Sequence, residues 1–194
     1  MEPASGEAAL IVELQAGSEE AYDYVIGVYR NPVYRLVAHI LGNEYDAADV
    51  LQNVFVKVVR GIAQFHAQSS LKTWMYRIAV REALNYRRGW FRRHLHESFS
   101  LDEELAEPLA ALAESPGLCD PYETLEQAER QALVKMALDG LPVLYRTVLI
   151  LREIEELSYE EIAQVLGIAD GTVKSRLMRG RELLRRKLSS VLGY

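Results

Sequence analysis

The sequence predicts an all-helical fold of two small domains joined by an acidic linker, the C-terminal domain containing a helix-turn-helix. Apolar residues recur every three or four positions along most of the chain, and no segment sustains the period of two that a strand requires. This pattern weakens at residues 96–122, which contain three prolines and are expected to form a flexible linker. The predicted domains are therefore residues 1–95 and 123–194.

The composition is that of a globular protein. The chain has 194 residues, of which 49% are hydrophobic, enough for two small cores. Its single cysteine, Cys119, can form no internal disulfide, as expected in the reducing cytoplasm. The N-terminus lacks the pattern of a signal peptide, and no apolar run approaches the roughly 20 residues that cross a bilayer. A cytoplasmic protein without membrane insertion is predicted.

The net charge of −6 conceals an uneven distribution. Residues 81–93 carry five arginines against one glutamate, a net of +4, and residues 174–194 carry seven basic side chains against one glutamate, a net of +6. Residues 94–129 hold ten acidic side chains and no lysine or arginine. Two basic patches separated by an acidic segment permit nucleic-acid binding in spite of the negative total.

Helix-breaking residues and N-cap residues in the sequence predict where the first helices begin and end. A helix is expected at about residues 7–15, and Ser18 can cap a second helix, in which Pro32 marks a possible kink or restart. Gly42-Asn43 ends that helix, and Asp46 or a neighbour starts the third.

The third helix has two different faces. Its apolar stripe is expected to face the core and consists of Leu51, Val54, Phe55, Val58 and Ile62. The opposite face carries Asp49, Gln52, Asn53, Val56 and Arg60, a mixed surface that suits a protein partner, although an ordinary solvated face has the same composition.

A fourth helix is predicted to begin near Ser70-Leu71, after a polar loop that starts at His66. Its inward stripe comprises Trp74, Ile78, Ala79 and Leu84. Residues 123–192 then resume the helical period, first as two longer helices and then as two shorter pieces joined by a glycine.

Those two pieces predict a helix-turn-helix. Ser158 followed three residues later by Glu161 is the signature of a capping box, and Gly167 can adopt the left-handed conformation that ends a helix. Asp170 or Thr172 is expected to cap the next helix. The combination is more specific than any of its parts, but a solvated basic helix that closes a bundle remains the alternative.

The second helix of this motif is predicted to enter the major groove of DNA. Val173 and Leu177 suit its buried side. Lys174, Ser175 and Met178 can reach base edges, while Arg176, Arg179 and Arg181 suit phosphates. Thr172, at the start of the helix, is assigned to the same surface.

These segments resemble the extracytoplasmic-function sigma factors of the sigma-70 family. The stretch LSYEEIAQVLGIADGTVKSRLMRGRELLRRKL is similar to the helix-turn-helix of sigma domain four, which binds the minus-35 element, and LPVLYRTVLILREIEEL resembles the first half of that domain. DAADVLQNVFVKVVRGIAQF resembles the helix of sigma domain two that docks on core RNA polymerase. SSLKTWMYRIAVREALNYRR resembles the segment that melts and binds the minus-10 element. All four occur in the family's order.

The resemblance implies roles for particular residues. Asp49, Gln52, Asn53 and Val56 would contact core RNA polymerase, although Asn53 stands where the family usually has an acidic residue. Melted promoter DNA would be bound by phosphate contacts and by a polar loop pocket that holds an unstacked base. The residues assigned to this minus-10 contact are Ser69, Ser70, Lys72, Trp74, Arg77, Arg81, Asn85, Arg87 and Arg88.

Trp74 and Arg81 are exceptions within this set. Trp74 is expected to be a core residue rather than a stacking platform for a base. Arg81 stands where the family often has asparagine, so the preferred minus-10 bases do not carry over.

Further implications of the resemblance concern the linker and regulation. The acidic linker would pass through the polymerase toward the RNA exit path, whereas composition alone favours a solvated tether. An anti-sigma factor is the implied regulator, acting on the polymerase-binding and DNA-binding faces. A sigma factor itself performs no covalent chemistry and needs no cofactor.

Two other classes of protein remain as alternatives. A helix-turn-helix regulator would bind its operator without polymerase, with residues 1–95 as a sensor or dimerisation domain. A helical enzyme is disfavoured, because His39, His66, His94 and His96 show no metal-ligand spacing and the chain has no phosphate-binding glycine loop. No catalytic residue and no metal site are therefore predicted.

Overall fold

A computed structural model describes the backbone of residues 5–97 and 121–192 and the side chains of residues 6–90 and 129–190. These residues form eight α-helices and no strand, in agreement with the predicted fold class. The helices are α1 Ser5–Ala16, α2 Glu19–Leu41, α3 Glu44–Gly61, α4 Leu71–Glu97, α5 Pro121–Asp139, α6 Val143–Leu149, α7 Tyr159–Leu166 and α8 Asp170–Leu192. Most of the linker, with Cys119, lies outside the described residues.

Helices α1–α4 form an N-terminal unit in which α2, α3 and α4 pack against one another. Ser18 caps α2 as predicted, its hydroxyl accepting the amide of Ala21. Helix α2 then continues without a break through Pro32. Asn43, rather than Asp46, caps α3, because its side-chain oxygen accepts the amide of Tyr45 at 2.9 Å.

The two helical stripes predicted to face the core do so. A side chain that repeats every three or four positions stays on one side of a helix, so the pattern alone selects the buried face. The buried members are Leu51, Val54, Val58, Ile62, Trp74 and Ala79, and the half-buried ones are Phe55, Ile78 and Leu84.

Helices α5–α8 form a C-terminal unit in which α8 packs against α5, α6 and α7. The predicted second helix of this unit is not uniform, because α6 continues as a π-helical segment over Ile150–Ile154. Its end is defined by the amide of Glu155, which bonds to the carbonyl of Ile150, five residues back. The chain then turns at Glu156, which has a positive φ of 57°.

Close approach of α6 and α8 depends on Gly180. A Cβ at this position would lie 3.2 Å from two side-chain carbons of Leu149. We expect Gly180→Ala to destabilise the chain by about 1 kcal/mol, because overpacking of about 1–3 kcal/mol outweighs the gain of about 1 kcal/mol in helix propensity. Urea unfolding of the full chain measures the change.

The matched substitution is Gly27→Ala in α2, where a Cβ meets nothing within 4 Å. This variant should be more stable than the parent by about 0.5–1 kcal/mol, since only the helix propensity changes. Two variants of equal stability would show that α6 and α8 do not require the glycine.

The two units pack directly on each other and share one continuous core. Helix α4 lies against α7, and the C-terminal end of α2 contacts the C-terminal unit through Arg146. An exposed ion pair between Glu44 and Lys135, 2.9 Å long, also joins the units. Within the part of the chain that the structure describes, no helix has the length and apolar character of a membrane span.

Candidate DNA-binding and docking surfaces

The first helix of the helix-turn-helix is fixed by reciprocal hydrogen bonds at its start. The hydroxyl of Ser158 accepts the amide of Glu161 at 3.1 Å, and the Glu161 carboxylate accepts the amide of Ser158 at 2.8 Å. This is the predicted capping box, and it satisfies amides that the helix itself leaves without partners. Helix α7 therefore begins at a defined residue, with Ile162 and Val165 in the core.

The turn sets the direction of the second helix. Gly167 has a φ of 63°, the left-handed conformation predicted for it, and the amide of Ile168 bonds to the carbonyl of Ala163 at 3.1 Å. Helix α8 begins at Asp170, so Asp170 and Thr172 both lie in its first turn and neither is the N-cap residue. The position before the helix is Ala169, whose carbonyl accepts the amide of Thr172.

The predicted minus-35 residues lie together on the outer face of α8. Lys174, Ser175, Met178 and Arg179 are exposed, Thr172 and Arg176 are half-buried, and Val173 and Leu177 are buried beneath them. Met178 is 67% exposed and suits contact with an apolar base edge.

Arg181 differs from its neighbours because it already has a partner. Its Nε and Nη2 atoms donate to Glu153 Oε1 at 3.0 and 2.6 Å, and this hydrogen bond raises the pKa of the Arg181 guanidinium. The contact joins α8 to the π-helical segment. A phosphate would therefore have to compete with Glu153 for the Arg181 guanidinium.

A second basic surface follows α4. Arg77, Arg81, Asn85 and Arg88 are exposed at intervals of three or four residues and form one stripe. The Arg88 guanidinium donates to Asn85 Oδ1 at 2.7 Å, which orders the C-terminal part of this stripe. Arg87 is half-buried beside it.

The other predicted minus-10 residues occupy the N-terminal end of α4. Ser70 caps this helix, its hydroxyl accepting the amide of Thr73 at 3.1 Å, and Ser69 is half-buried next to it. The amide of Leu71 donates to the carboxylate of Glu7, which ties α1 to this helix start. Lys72 points to the C-terminal unit, where its ammonium donates to the main-chain oxygen of Glu155 at 3.3 Å.

Trp74 belongs to the core in this structure, as the sequence predicted, and is not a stacking platform for a base. Only 8% of its surface is exposed, and its ring lies 4.9 Å from that of Phe65. It also limits position 61, where a Cβ on Gly61 would lie 3.2 Å from the indole. A stacked DNA base would have to displace these neighbours.

The predicted polymerase-docking residues form an exposed face on α3. Asp49, Gln52, Asn53 and Val56 are all exposed. Gln52 and Val56 also line an open groove of about 890 Å³ between α2 and α3. Exposed apolar side chains continue this groove at Ile26 and Val59.

The groove adds Ile26 and Val59 to the predicted docking residue Val56. Ile26, Val56 and Val59 are 38%, 46% and 47% exposed and line the same groove, so they form a contiguous apolar strip. Arg30 and Arg60 flank them. An apolar strip with polar edges is the composition of a protein interface. The available sequence signal was the apolar Val59, which follows Val56 by three residues and therefore lies on the same side of α3.

The polar groups buried between the two units were not predicted from the sequence. Arg146 is 1% exposed, Tyr76 is 1% exposed and Glu155 is 9% exposed. Buried polar and charged groups are rare unless they have partners. Tyr76 and Glu155 are bonded to each other across 79 residues, and Arg146 bonds to Ile40, 106 residues away, as well as to the nearby Asp139 and Leu141. No local pattern could have identified them.

The two histidines whose side chains are described, His39 and His66, are not grouped with other metal-ligating side chains. His39 is half-buried where α2 meets the C-terminal unit, and burial lowers its pKa. His66 is exposed, and the side chains of His94 and His96 lie outside those described. Among the described residues, no three His, Cys, Asp or Glu side chains are arranged to hold a metal ion.

Comparisons with protein families match both units. The model of Sigma-70 region 2 matches residues 25–92, and the model of Sigma-70 region 4 matches residues 123–184. The chain is 32% identical to the ECF RNA polymerase sigma-E factor of Haemophilus influenzae over 184 residues, 95% of this chain and 96% of that protein. It is also 32% identical to the ECF RNA polymerase sigma factor SigW of Bacillus subtilis over 181 residues, 92% and 94% of the two chains.

Solved structures have the same fold. The sigma factor RpoE of Bartonella quintana, crystallised in complex with the anti-sigma factor NepR, matches with a TM-score of 0.68 and 24% identity over 87% of this chain and 96% of that one. CnrH, in complex with the cytosolic domain of CnrY, matches with a TM-score of 0.62 and 20% identity over 96% and 97% of the two chains.

Proposed function

This chain belongs to the extracytoplasmic-function sigma factors of the sigma-70 family, and we propose that its α2–α3 face docks on core RNA polymerase while α4 and α8 bind the two promoter elements. The protein is a sigma factor that directs transcription initiation. One observation supports this assignment of surfaces. The chain has two basic helical faces on separate units, and it has an apolar groove between α2 and α3 that is separate from both.

The minus-35 contact is assigned to α8. Lys174, Ser175 and Met178 project from its N-terminal half, the part of a recognition helix that reaches base edges in the major groove. Arg176 and Arg179 lie where phosphates would flank the groove. The turn at Gly167, with a left-handed φ of 63°, sets the direction of α8 relative to α7.

The minus-10 contact is assigned to α4. Its stripe of arginines can hold the phosphates of a melted strand, and binding the opened form shifts the equilibrium of the duplex toward opening. The protein contributes binding free energy and no covalent chemistry of its own.

The decisive experiment is transcription in vitro with purified core polymerase, genomic DNA fragments and this chain. The proposal predicts discrete start sites that appear only when the chain is added. Tight operator binding by the chain alone, with no effect on start sites, would favour the alternative of a helix-turn-helix regulator.

A separate prediction concerns the salt dependence of DNA binding, which the proposed phosphate contacts of α8 determine. On a promoter fragment found in that experiment, Arg179→Ala should weaken holoenzyme binding at low salt and reduce the slope of log K against log salt by about 1, because one fewer counterion is released. Filter binding or anisotropy at several salt concentrations measures this slope.

Arg186→Ala is the control for that measurement. Arg186 lies on the same helix two turns further on and is bound to Glu182. Its loss should leave the slope unchanged. An unchanged slope for Arg179→Ala as well would remove Arg179 from the DNA interface.

We also propose that an anti-sigma factor regulates this chain and that the chain acts in the cytoplasm, where its polymerase is. The sigma factor RpoE, which has the same fold, was crystallised with the anti-sigma factor NepR, and CnrH, also of this fold, forms a complex with the cytosolic domain of CnrY. Coexpression with candidate partners from the same genome, followed by co-purification and transcription assays, tests the regulation.

A further inference from the structure

Glu155, in the C-terminal unit, is bound by two residues of α4. Its carboxylate accepts the hydroxyl of Tyr76 at 2.5 Å, and its main-chain oxygen accepts the ammonium of Lys72 at 3.3 Å. Lys72 lies 5.3 Å above the centre of the Tyr76 ring, so the two α4 side chains form one site. Tyr76 and Glu155 are both buried there.

The backbone departs from a regular helix on both sides of Glu155. The π-helical segment Ile150–Ile154 accommodates an extra residue per turn, which rotates the following residue by about 100° relative to a regular helix. Glu156 then adopts a φ of 57°, a conformation that non-glycine residues rarely accept. Both features, together with a buried carboxylate, are unfavourable by themselves; the π-helical segment packs against α2, α6 and α7, and the Glu155 carboxylate is bound by Tyr76 of α4.

A neighbouring contact involves the helix-turn-helix itself. The hydroxyl of Thr73 lies 3.5 Å from Glu161 Oε1, while the other carboxylate oxygen of Glu161 closes the capping box with Ser158. Thr73 is also bonded to Ser70, the cap of α4. The N-terminal turn of α4 is therefore covered by the C-terminal unit in the free chain.

We propose that Lys72 and Tyr76 form an anion site that binds a phosphate of the melted minus-10 strand, and that Glu155 occupies this site in the free chain as an intramolecular competitor. An ammonium and a hydroxyl one helical turn apart are donors that a phosphate accepts as readily as a carboxylate does. Both anions cannot occupy the site together. The inference rests on the proposed role of α4 in binding that strand.

The arrangement explains how one chain stays closed when free and opens on polymerase. Separating the units exposes Lys72 and Tyr76, and it also breaks the core that the two units share. Docking of the two units on separate parts of the polymerase then favours the open form through a difference in binding free energy between the two forms.

The first test measures the distance between the units in the free chain, with spin labels at Gln64→Cys and Gln164→Cys in a Cys119→Ser background. Both glutamines are exposed and lie in different units.

Tyr76→Phe and Glu155→Ala should each increase the open population about 10- to 100-fold, because a buried hydrogen bond to a charged group is lost. Glu156→Ala is the control, since it removes a neighbouring exposed carboxylate of equal charge. Distances that are the same in all variants overturn the proposal.

The second test measures binding of the free chain to a fluorescent single-stranded 20-nucleotide DNA of mixed sequence. Glu155→Ala should bind about 10-fold more tightly than Glu156→Ala, and the addition of Lys72→Ala to Glu155→Ala should abolish the gain. Equal affinities of Glu155→Ala and Glu156→Ala overturn the competition. Neither measurement uses polymerase, so a failure here is distinct from a failure of the chain to direct transcription.

Discussion

Val56→Lys is expected to abolish productive association with core polymerase while leaving the fold intact. Val56 is 46% exposed in the groove between α2 and α3, beside Gln52 and close to Arg30 and Arg60. A lysine there adds a third positive charge that docking would have to bury without a partner. The cost of about 2–4 kcal/mol corresponds to a loss of about 30- to 1,000-fold in affinity.

Stability should not fall in this variant, because position 56 is exposed and lysine has a higher helix propensity than valine. Binding to core polymerase is measured by anisotropy of the labelled chain, and transcription from an identified promoter is measured in parallel. Both should decrease together, since polymerase binding precedes promoter binding.

Val12→Lys is the matched control for the docking face. Val12 is 65% exposed on α1 and does not line the groove. The same substitution there should leave polymerase binding within about twofold of the parent. Equal losses in the two variants, or none in either, would place the polymerase contact on another surface.

Arg146→Met is expected to destabilise the chain by about 3–5 kcal/mol. Arg146 is 1% exposed, and its guanidinium donates to the carbonyls of Ile40 and Leu141 at 3.4 and 3.3 Å and to the carbonyl of Asp139. It also pairs with the Asp139 carboxylate at 3.4 Å. Methionine fills much of the same volume but leaves three carbonyls and a carboxylate without these donors.

Urea unfolding of the full chain, followed by far-ultraviolet circular dichroism, measures this loss. Arg179→Met makes the same change on an exposed face of α8 and should stay within about 0.5 kcal/mol of the parent. Arg146→Lys should fall between the two, because it retains the charge but not the planar set of donors. A stability of Arg146→Met close to that of Arg179→Met would mean that the guanidinium contacts are weak.

Much of the helix-turn-helix could be predicted because its determinants are close in sequence. Ser158 and Glu161 are three residues apart, and a left-handed residue at position 167 requires little more than a glycine. The outward side of α8 follows from the helical period. The same local reasoning placed Asp49, Gln52, Asn53 and Val56 on one exposed face, and whether they contact polymerase remains a prediction.

The sequence was less informative where a local pattern competes with a distant contact. Arg181 lies on the outer face of α8, as its spacing indicates, yet its guanidinium is bound to Glu153, 28 residues earlier. The family resemblance assigned Lys72 to DNA, and in the free chain it contacts Glu155, 83 residues later. A regular helix was expected over residues that contain the π-helical segment.

The sequence by itself determined the helical class, the caps at Ser18 and Ser158, the buried stripes and the membership of a sigma factor family, because each of these depends on residues within a few turns of one another. Only the tertiary structure decided that the two units pack together, that Arg146 joins the end of α5 to the end of α2, and that Glu155 fills a site on α4. The physical reason is that a buried charge is stabilised by donors that the fold brings together from distant parts of the chain, and neither period nor composition specifies such partners.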